Sequence, residues 1–158
     1  MKAPLSLKGR ALTLLAQREQ SASELRRKLL RHARADEVAE GDAASRVDDV
    51  IAWLREHKHL SEERFIESRV HARAARYGNL RIRQELAQHG LSVGSELERG
   101  LKDSELERAA EVWRRKFDAP PADAAERARQ SRFLANRGFS AEVIARVMRS
   151  AGGSADND

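Results

Sequence analysis

The sequence predicts an all-α protein built from three tandem three-helix repeats that form an elongated, curved helical array. Three observations predict it. A short basic pattern, Arg81-Ile82-Arg83-Gln84-Glu85-Leu86, closed by the turn His89-Gly90-Leu91-Ser92, is echoed on both sides. The upstream echo is Glu24-Leu25-Arg26-Arg27-Lys28-Leu29. The downstream one is Arg129-Gln130-Ser131-Arg132-Phe133-Leu134 with the turn Arg137-Gly138-Phe139-Ser140, and Gly138 follows Gly90 by 48 residues, a spacing typical of helical repeats. Apolar residues recur at helical spacing along the chain, with almost no strand signal. Charged residues make up 35% of the 158 residues and aromatic residues only 4%, a balance suited to solvent-rich helices more than to a thick core. Each repeat is too small to bury a sizeable core alone, so stability must come from stacking one repeat on the next.

Residues 1–8 form an N-terminal extension, and the first repeat spans 9–59. Its first helix carries Leu12, Leu15 and Ala16. Ser21 with Glu24 makes a capping box that restarts a helix after a tight corner, and Leu25 and Leu29 then share one face. The polar stretch from Ala33 to Arg46, with Gly41-Asp42, reads as a loop before a helix whose stripe is Val47, Val50, Ile51 and Leu54, flanked by Trp53.

The second repeat, 60–102, opens at Leu60-Ser61-Glu62-Glu63, where Ser61 caps and the two acids face the positive end of the helix dipole. Phe65 and Ile66 begin its apolar face. Tyr77-Gly78-Asn79 breaks that helix, with Gly78 able to take the left-handed conformation and Asn79 placed to cap the helix through Ile82 and Leu86. Ser92 starts a further helix carrying Leu97 and Leu101.

In the third repeat, 103–150, Asp103 or Ser104 is expected to cap a helix with Leu106, Ala109, Ala110, Trp113 and Phe117, stopped by Pro120-Pro121. A helix from about Ala122 to Asn136 follows. After the Gly138 turn, a last helix turns Val143, Ile144, Val147 and Met148 inward, and residues 151–158 read as a disordered tail. The expected total is nine helices and no sheet.

Lys and Arg outnumber Asp and Glu by 30 to 25, a formal charge of +5 with a pI of about 10.1, which favours anionic partners but falls short of a purely electrostatic DNA binder. No cysteine is present, which excludes disulfides, thiolate metal sites and cysteine nucleophiles and fits a reducing cytosol. The early apolar run from Ala11 to Ala16 is too short for a secretory signal, and nothing approaches a membrane span. The chain is therefore expected to be cytoplasmic.

Catalysis has little support. His32, His57, His59, His71 and His89 lie mostly near helix ends or on polar faces, without an HExxH pattern or a carboxylate cluster, although His57 and His59 could chelate weakly. No cofactor or resident metal is expected. The arginines carry more: Arg27, Arg31 and Arg34 fall at i, i+4 and i+7, as do Arg69, Arg73 and Arg76, so each set projects from one side of its helix and can follow a row of acidic groups. A helix-turn-helix reading of Gln84-Glu85-Leu86-Ala87 with Gly90-Leu91-Ser92 fails. Leu86 stands where that motif's small residue belongs, and Glu96 and Glu98 on the would-be recognition helix repel phosphates. Base stacking also fits poorly, because Tyr77, Trp53, Trp113 and the phenylalanines mostly sit where a helical core uses them.

Four stretches in order resemble the bacterial RecX family over about residues 9 to 150. They are Ser21-x-x-Glu24-Leu25-Arg26-x-Lys28-Leu29, then Val50-Ile51-x-Trp53-Leu54 leading to Leu60-Ser61-Glu62-Glu63-Arg64-Phe65. Next come Tyr77-Gly78 followed by Arg81 to Leu86 and Gly90-Leu91, and finally Arg132-Phe133-Leu134-x-x-Arg137-Gly138-Phe139. The resemblance implies three tandem three-helix repeats and a non-enzymatic, cytoplasmic regulator of homologous recombination and the SOS response. Such a regulator binds the RecA filament and inhibits its ATPase, strand exchange and coprotease stimulation, with possible direct contact to single- or double-stranded DNA. An independent DNA-binding helical repeat protein is the alternative, and a monomer is the favoured state. The candidate partner-binding residues are Arg26, Arg27, Arg31, Arg69, Arg73, Arg76, Arg81, Arg83 and Arg132. Two positions depart from the family pattern. His59 stands where the family often has glycine, so that a non-glycine is expected in a left-handed turn, and Asn79-Leu80 replaces a proline-containing corner.

Overall fold

A computed structural model of the chain describes residues 5–36 and 41–153. Eight helices and no strand occur among the described residues: α1 Leu7–Gln17, α2 Ala22–Ala35, α3 Ala43–Glu56, α4 Glu62–Ala74, α5 Asn79–Gln88, α6 Ser95–Lys116, α7 Ala124–Asn136 and α8 Ala141–Gly153. The chain divides into two compact units, Met1–Ser68 with His89–Leu91 and Arg69–Gln88 with Ser92–Asp158.

In the first unit, local capping chemistry sets the helix starts. Ser6 accepts from the Gly9 amide at 3.0 Å to open α1, and Asp42 accepts from the Ser45 amide at 3.2 Å to open α3. The capping box expected at α2 is present: Ser21 Oγ accepts from the Glu24 amide at 3.2 Å, and the Glu24 carboxylate accepts from the Ser21 amide at 3.0 Å. Glu24 is 4% exposed, and burial alone would favour its neutral form. The paired Arg18 hydrogen bonds at 2.9 Å, the Ser21 amide and Lys28 outweigh that burial and hold its carboxyl down at about 2. Leu25, Leu29 and Ala33 of α2 then meet Val47, Ile51 and Leu54 of α3, with Ala11 and Leu60, in one core.

The α3 exit corrects the sequence-based expectation by one residue. The left-handed residue is Lys58, with φ 61°, and not His59. The Lys58 amide donates to the Arg55 carbonyl at 3.1 Å and the His59 amide to the Leu54 carbonyl at 2.9 Å, the paired bonds of a Schellman ending. A lysine therefore occupies the position that glycine normally takes in this motif.

In the second unit, Leu134, Phe139, Ile144, Val147 and Met148 pack on Ala109 and Val112 of α6. Gln130 is buried among them, accepting from Trp113 Nε1 at 2.8 Å and donating to the Ala119 carbonyl at 3.3 Å. The helix expected to begin at Asp103 or Ser104 does not exist separately. It is continuous with the one expected at Ser92, which starts at Ser95, so eight helices stand in place of nine among the described residues. Asp103 and Ser104 can cap, but they do not force a break as proline would, and even Gly100 lies within the continuous helix. The Ser104 hydroxyl instead bonds back to the Leu101 carbonyl at 3.4 Å within the helix.

Four other boundaries move. The expected loop from Ala33 to Arg46 shrinks, since α2 reaches Ala35 and α3 begins at Ala43. Helix α1 begins inside the expected extension, and α8 runs to Gly153, into the expected tail. Residues 1–4, 37–40 and 154–158, with the remaining parts of those expectations, lie outside the described residues.

Candidate partner-binding surface

The feature that assembles this surface is a contact between two glycine corners. The α4–α5 corner carries Gly78 and the α7–α8 corner carries Gly138, and their backbones meet. The Gly78 amide donates to the Arg137 carbonyl at 2.7 Å and the Leu80 amide to the Gly138 carbonyl at 3.1 Å. A Cβ on Gly78 would lie 2.3 Å from the Gly138 carbonyl carbon. Gly78 is not in the left-handed region expected from the sequence: only Gly41, Gly90 and Gly138 have positive φ among the described glycines. Its requirement for glycine is close approach. Gly138, with φ 90° and a notional Cβ 2.4 Å from Arg81 Cβ, needs glycine on both counts.

Beneath the first corner, Arg108 of α6 fills the acceptors that the end of α4 leaves open. It donates to the Ala74 carbonyl at 3.0 Å, the Tyr77 carbonyl at 2.9 Å, the Leu101 carbonyl at 3.1 Å and Asn79 Oδ1. Buried Glu105 accepts from the Asn79 amide at 2.8 Å, which caps α5, and from Ser140 Oγ at 3.4 Å, which ties in the start of α8. Burial lowers the Arg108 pKa, while neighbouring Glu105 opposes the shift.

The docked corners gather cations around one ring. Arg81, Arg137, Arg76 and Arg73 place their guanidinium carbons 4.2, 5.4, 5.7 and 6.0 Å from the Tyr77 ring centroid. Arg137 also lies 5.3 Å from the Phe133 ring and Lys116 5.6 Å from it. Backbone carbonyls help hold the fork groups: Arg81 donates to the Asn136 carbonyl at 3.3 Å and Arg137 to the Arg76 carbonyl at 3.5 Å. Among the described residues, Arg76, Arg81, Lys116 and Arg137 form no ion pair with a carboxylate. Such a group presents several N–H donors and net positive charge to an incoming carboxylate or phosphate.

The sequence-derived arginines divide into two classes. Arg26 is held by Asp48 at 2.8 Å, Arg69 and Arg73 by Glu85 at 3.5 and 3.0 Å, and Arg83 by Glu98. Arg27, Arg31, Arg76, Arg81 and Arg132 are exposed and make no ion pair among the described residues. The row expected at Arg69, Arg73 and Arg76 thus does not project as a unit, because Glu85 of α5 draws the first two inward. Arg137 and the role of Tyr77 escaped the sequence reading. The only signal for them was that each lies beside a corner glycine.

Among the described residues, no group of three or more His, Cys, Asp or Glu could hold a metal ion. His57 and His59 stack on Trp53, with ring centroids 4.4 and 5.4 Å away, and His89 Nδ1 bonds buried Ser21 Oγ at 2.7 Å. No described helix is long and apolar enough to cross a membrane.

Comparison with known proteins places this geometry in context. Residues 61–93 match the family model for the second three-helix domain of RecX, and residues 103–148 match that for the third. The chain is 49% identical to the regulatory protein RecX of Leptothrix cholodnii over 156 residues, covering 98% of this chain and 94% of that one. It is 47% identical to the regulatory protein RecX of Ralstonia nicotianae over 150 residues, covering 94% and 89%. The crystal structure of RecX from Lactobacillus salivarius aligns with a TM-score of 0.69 at 17% identity, covering 92% of this chain and 94% of that one, a likeness of fold.

Proposed function

Starting from a chain that belongs to the RecX family of regulatory proteins, we propose that it binds the RecA nucleoprotein filament and inhibits its ATPase, strand-exchange and coprotease activities. It acts in the cytoplasm as a negative regulator of homologous recombination and the SOS response, by binding and without catalysis or a cofactor of its own. The observation that carries this reading is the convergence of Arg76, Arg81, Arg137 and Lys116 around Tyr77 and Phe133, with no ion pair to a carboxylate among the described residues. Like charges held together on a folded surface repel, and binding an acidic partner relieves that repulsion.

The test is to titrate the protein into RecA filaments on single-stranded DNA while following ATP hydrolysis. Inhibition is expected, and the triple variant Arg76→Glu, Arg81→Glu, Arg137→Glu should require at least about tenfold more protein at unchanged helicity. No inhibition by the parent protein at saturation sinks the proposed function. Full inhibition by the triple variant removes the surface from it.

Direct contact with DNA is the second reading. It is favoured by the exposed row of Arg27, Arg31 and Arg34 on α2, which lies apart from the corner cluster in the sequence and follows one helix face. A steep fall of free-DNA affinity with salt supports it, and undetectable binding at low salt removes it.

A further inference from the structure

Beside the corner cluster lies a recess of about 250 Å³ whose lining is of two kinds. Ala75, Val112 and Phe133 are its apolar lining residues, Ala75 at an exposed position, and Arg76, Arg115, Lys116 and Arg137 are its cationic ones. Val112, Arg115 and Lys116 share one face of α6 at i, i+3 and i+4, so the helix itself sets an apolar side chain between two cations. Among the described residues, Arg115 alone of the four cations pairs with a carboxylate, Glu111 at 3.5 Å, and Glu111 is shared with Arg114 at 2.9 Å.

We propose that this recess receives a single bulky apolar side chain from an acidic peptide segment of a protein partner, the neighbouring carboxylates of that segment lying on the cationic lining residues. The inference rests on the reading of this surface as a protein-binding one and names the chemistry it selects. A recess of about 250 Å³ lined by both apolar side chains and cations matches a single side chain, whereas a whole helix, roughly 10 Å across, is too wide for it. A nucleobase is the competing occupant, and the oligonucleotide arm of the experiment distinguishes it. Phosphates alone would use the cations and leave the apolar lining uncovered.

The experiment measures fluorescence anisotropy of labelled probes on the full-length protein. The probes are a heptapeptide with a central phenylalanine among six acidic residues, the same peptide with central serine, and a thymidine oligonucleotide. The phenylalanine peptide should bind about tenfold or more tightly than the serine peptide, since burying the ring supplies the difference. Ala75→Phe, which fills the recess from its exposed edge, should abolish that preference. Lys116→Glu should weaken both peptides about tenfold, while the matched charge change at exposed Arg99, Arg99→Glu near the N-terminal end of α6, should leave them unchanged. Circular dichroism confirms that each variant is folded, and Lys116→Glu carries the test if Ala75→Phe fails to fold. Equal affinity for the two peptides, a preference that survives filling, no saturable peptide binding, or tighter binding of the oligonucleotide overturns the proposal. RecA inhibition, measured separately, distinguishes the two claims: inhibition without peptide discrimination sinks only the recess, and discrimination without inhibition sinks only the filament reading.

Discussion

Gly78→Ala and Gly90→Ala are the same chemical change at two turns, and the structure sets their costs far apart. At Gly90, φ is +72° and nothing lies within 4 Å of the added Cβ, so the cost is conformational. A left-handed non-glycine residue costs roughly 1–2 kcal/mol, and the lower entropy of an unfolded alanine returns about 0.4–1, leaving on the order of 1 kcal/mol. At Gly78, φ is not left-handed, and the added methyl would lie 2.3 Å from the Gly138 carbonyl carbon, its oxygen and the Phe139 amide nitrogen. All three are backbone atoms, so no rotamer change relieves the clash and the corners must separate by about 1 Å to regain ordinary contact. That lengthens both corner-to-corner bonds, now 2.7 and 3.1 Å, each worth about 1 kcal/mol, and adds repacking strain of about 1–3 kcal/mol. With the same entropic offset, Gly78→Ala should cost about 2–4 kcal/mol. Urea unfolding of both variants followed by circular dichroism reads the ranking. Gly78→Ala destabilising by no more than Gly90→Ala would refute the view that the corners are locked by backbone contact.

Arg108→Leu should destabilise by about 2–3 kcal/mol in the same assay, because it strips a half-buried donor from the Ala74, Tyr77 and Leu101 carbonyls and removes the cation near Glu105. Lys58→Gly should raise stability by about 1 kcal/mol, since the side chain is exposed and only its left-handed backbone is strained. The Glu24 carboxyl is lowered from 4.5 to about 2 on folding, so its contribution is complete above about 4.5 and is lost as pH falls towards about 2. Discounted for its half-exposed partner Arg18, that contribution is about 2 kcal/mol, and Glu24→Gln should flatten the stability profile across this window.

Features encoded within a few residues were legible in the sequence. The Ser21–Glu24 capping box, the acids at the start of α4 and the Pro120-Pro121 stop all act through neighbours in the chain, and each lies where its local chemistry requires. The family and the all-helical class follow from such signals repeated in order. The α6 junction was not legible because Asp103 and Ser104 are ambiguous by nature: each can cap a helix or lie within one, and only packing along the Leu101, Ala109 and Val112 face decides. The Lys58 turn was misplaced by one residue for a related reason, since the Schellman ending is fixed by where the α3 stripe runs out at Leu54 and not by the identity of His59.

The arginines show the limit most clearly. Spacing along one helix identifies which cations share a face, but their neutralisation comes from other helices: Glu85 lies 12 residues beyond Arg73, Glu98 15 beyond Arg83 and Asp48 22 beyond Arg26. Those carboxylates remove four of the nine candidates from the unpaired set. The same packing adds Arg137 to Arg76, although 61 residues separate them, because two glycines let their corners touch. The charge available to a partner is therefore set by backbone proximity at Gly78 and Gly138. An alanine there should weaken binding in proportion to how far it parts the corners, even though it alters no charged side chain.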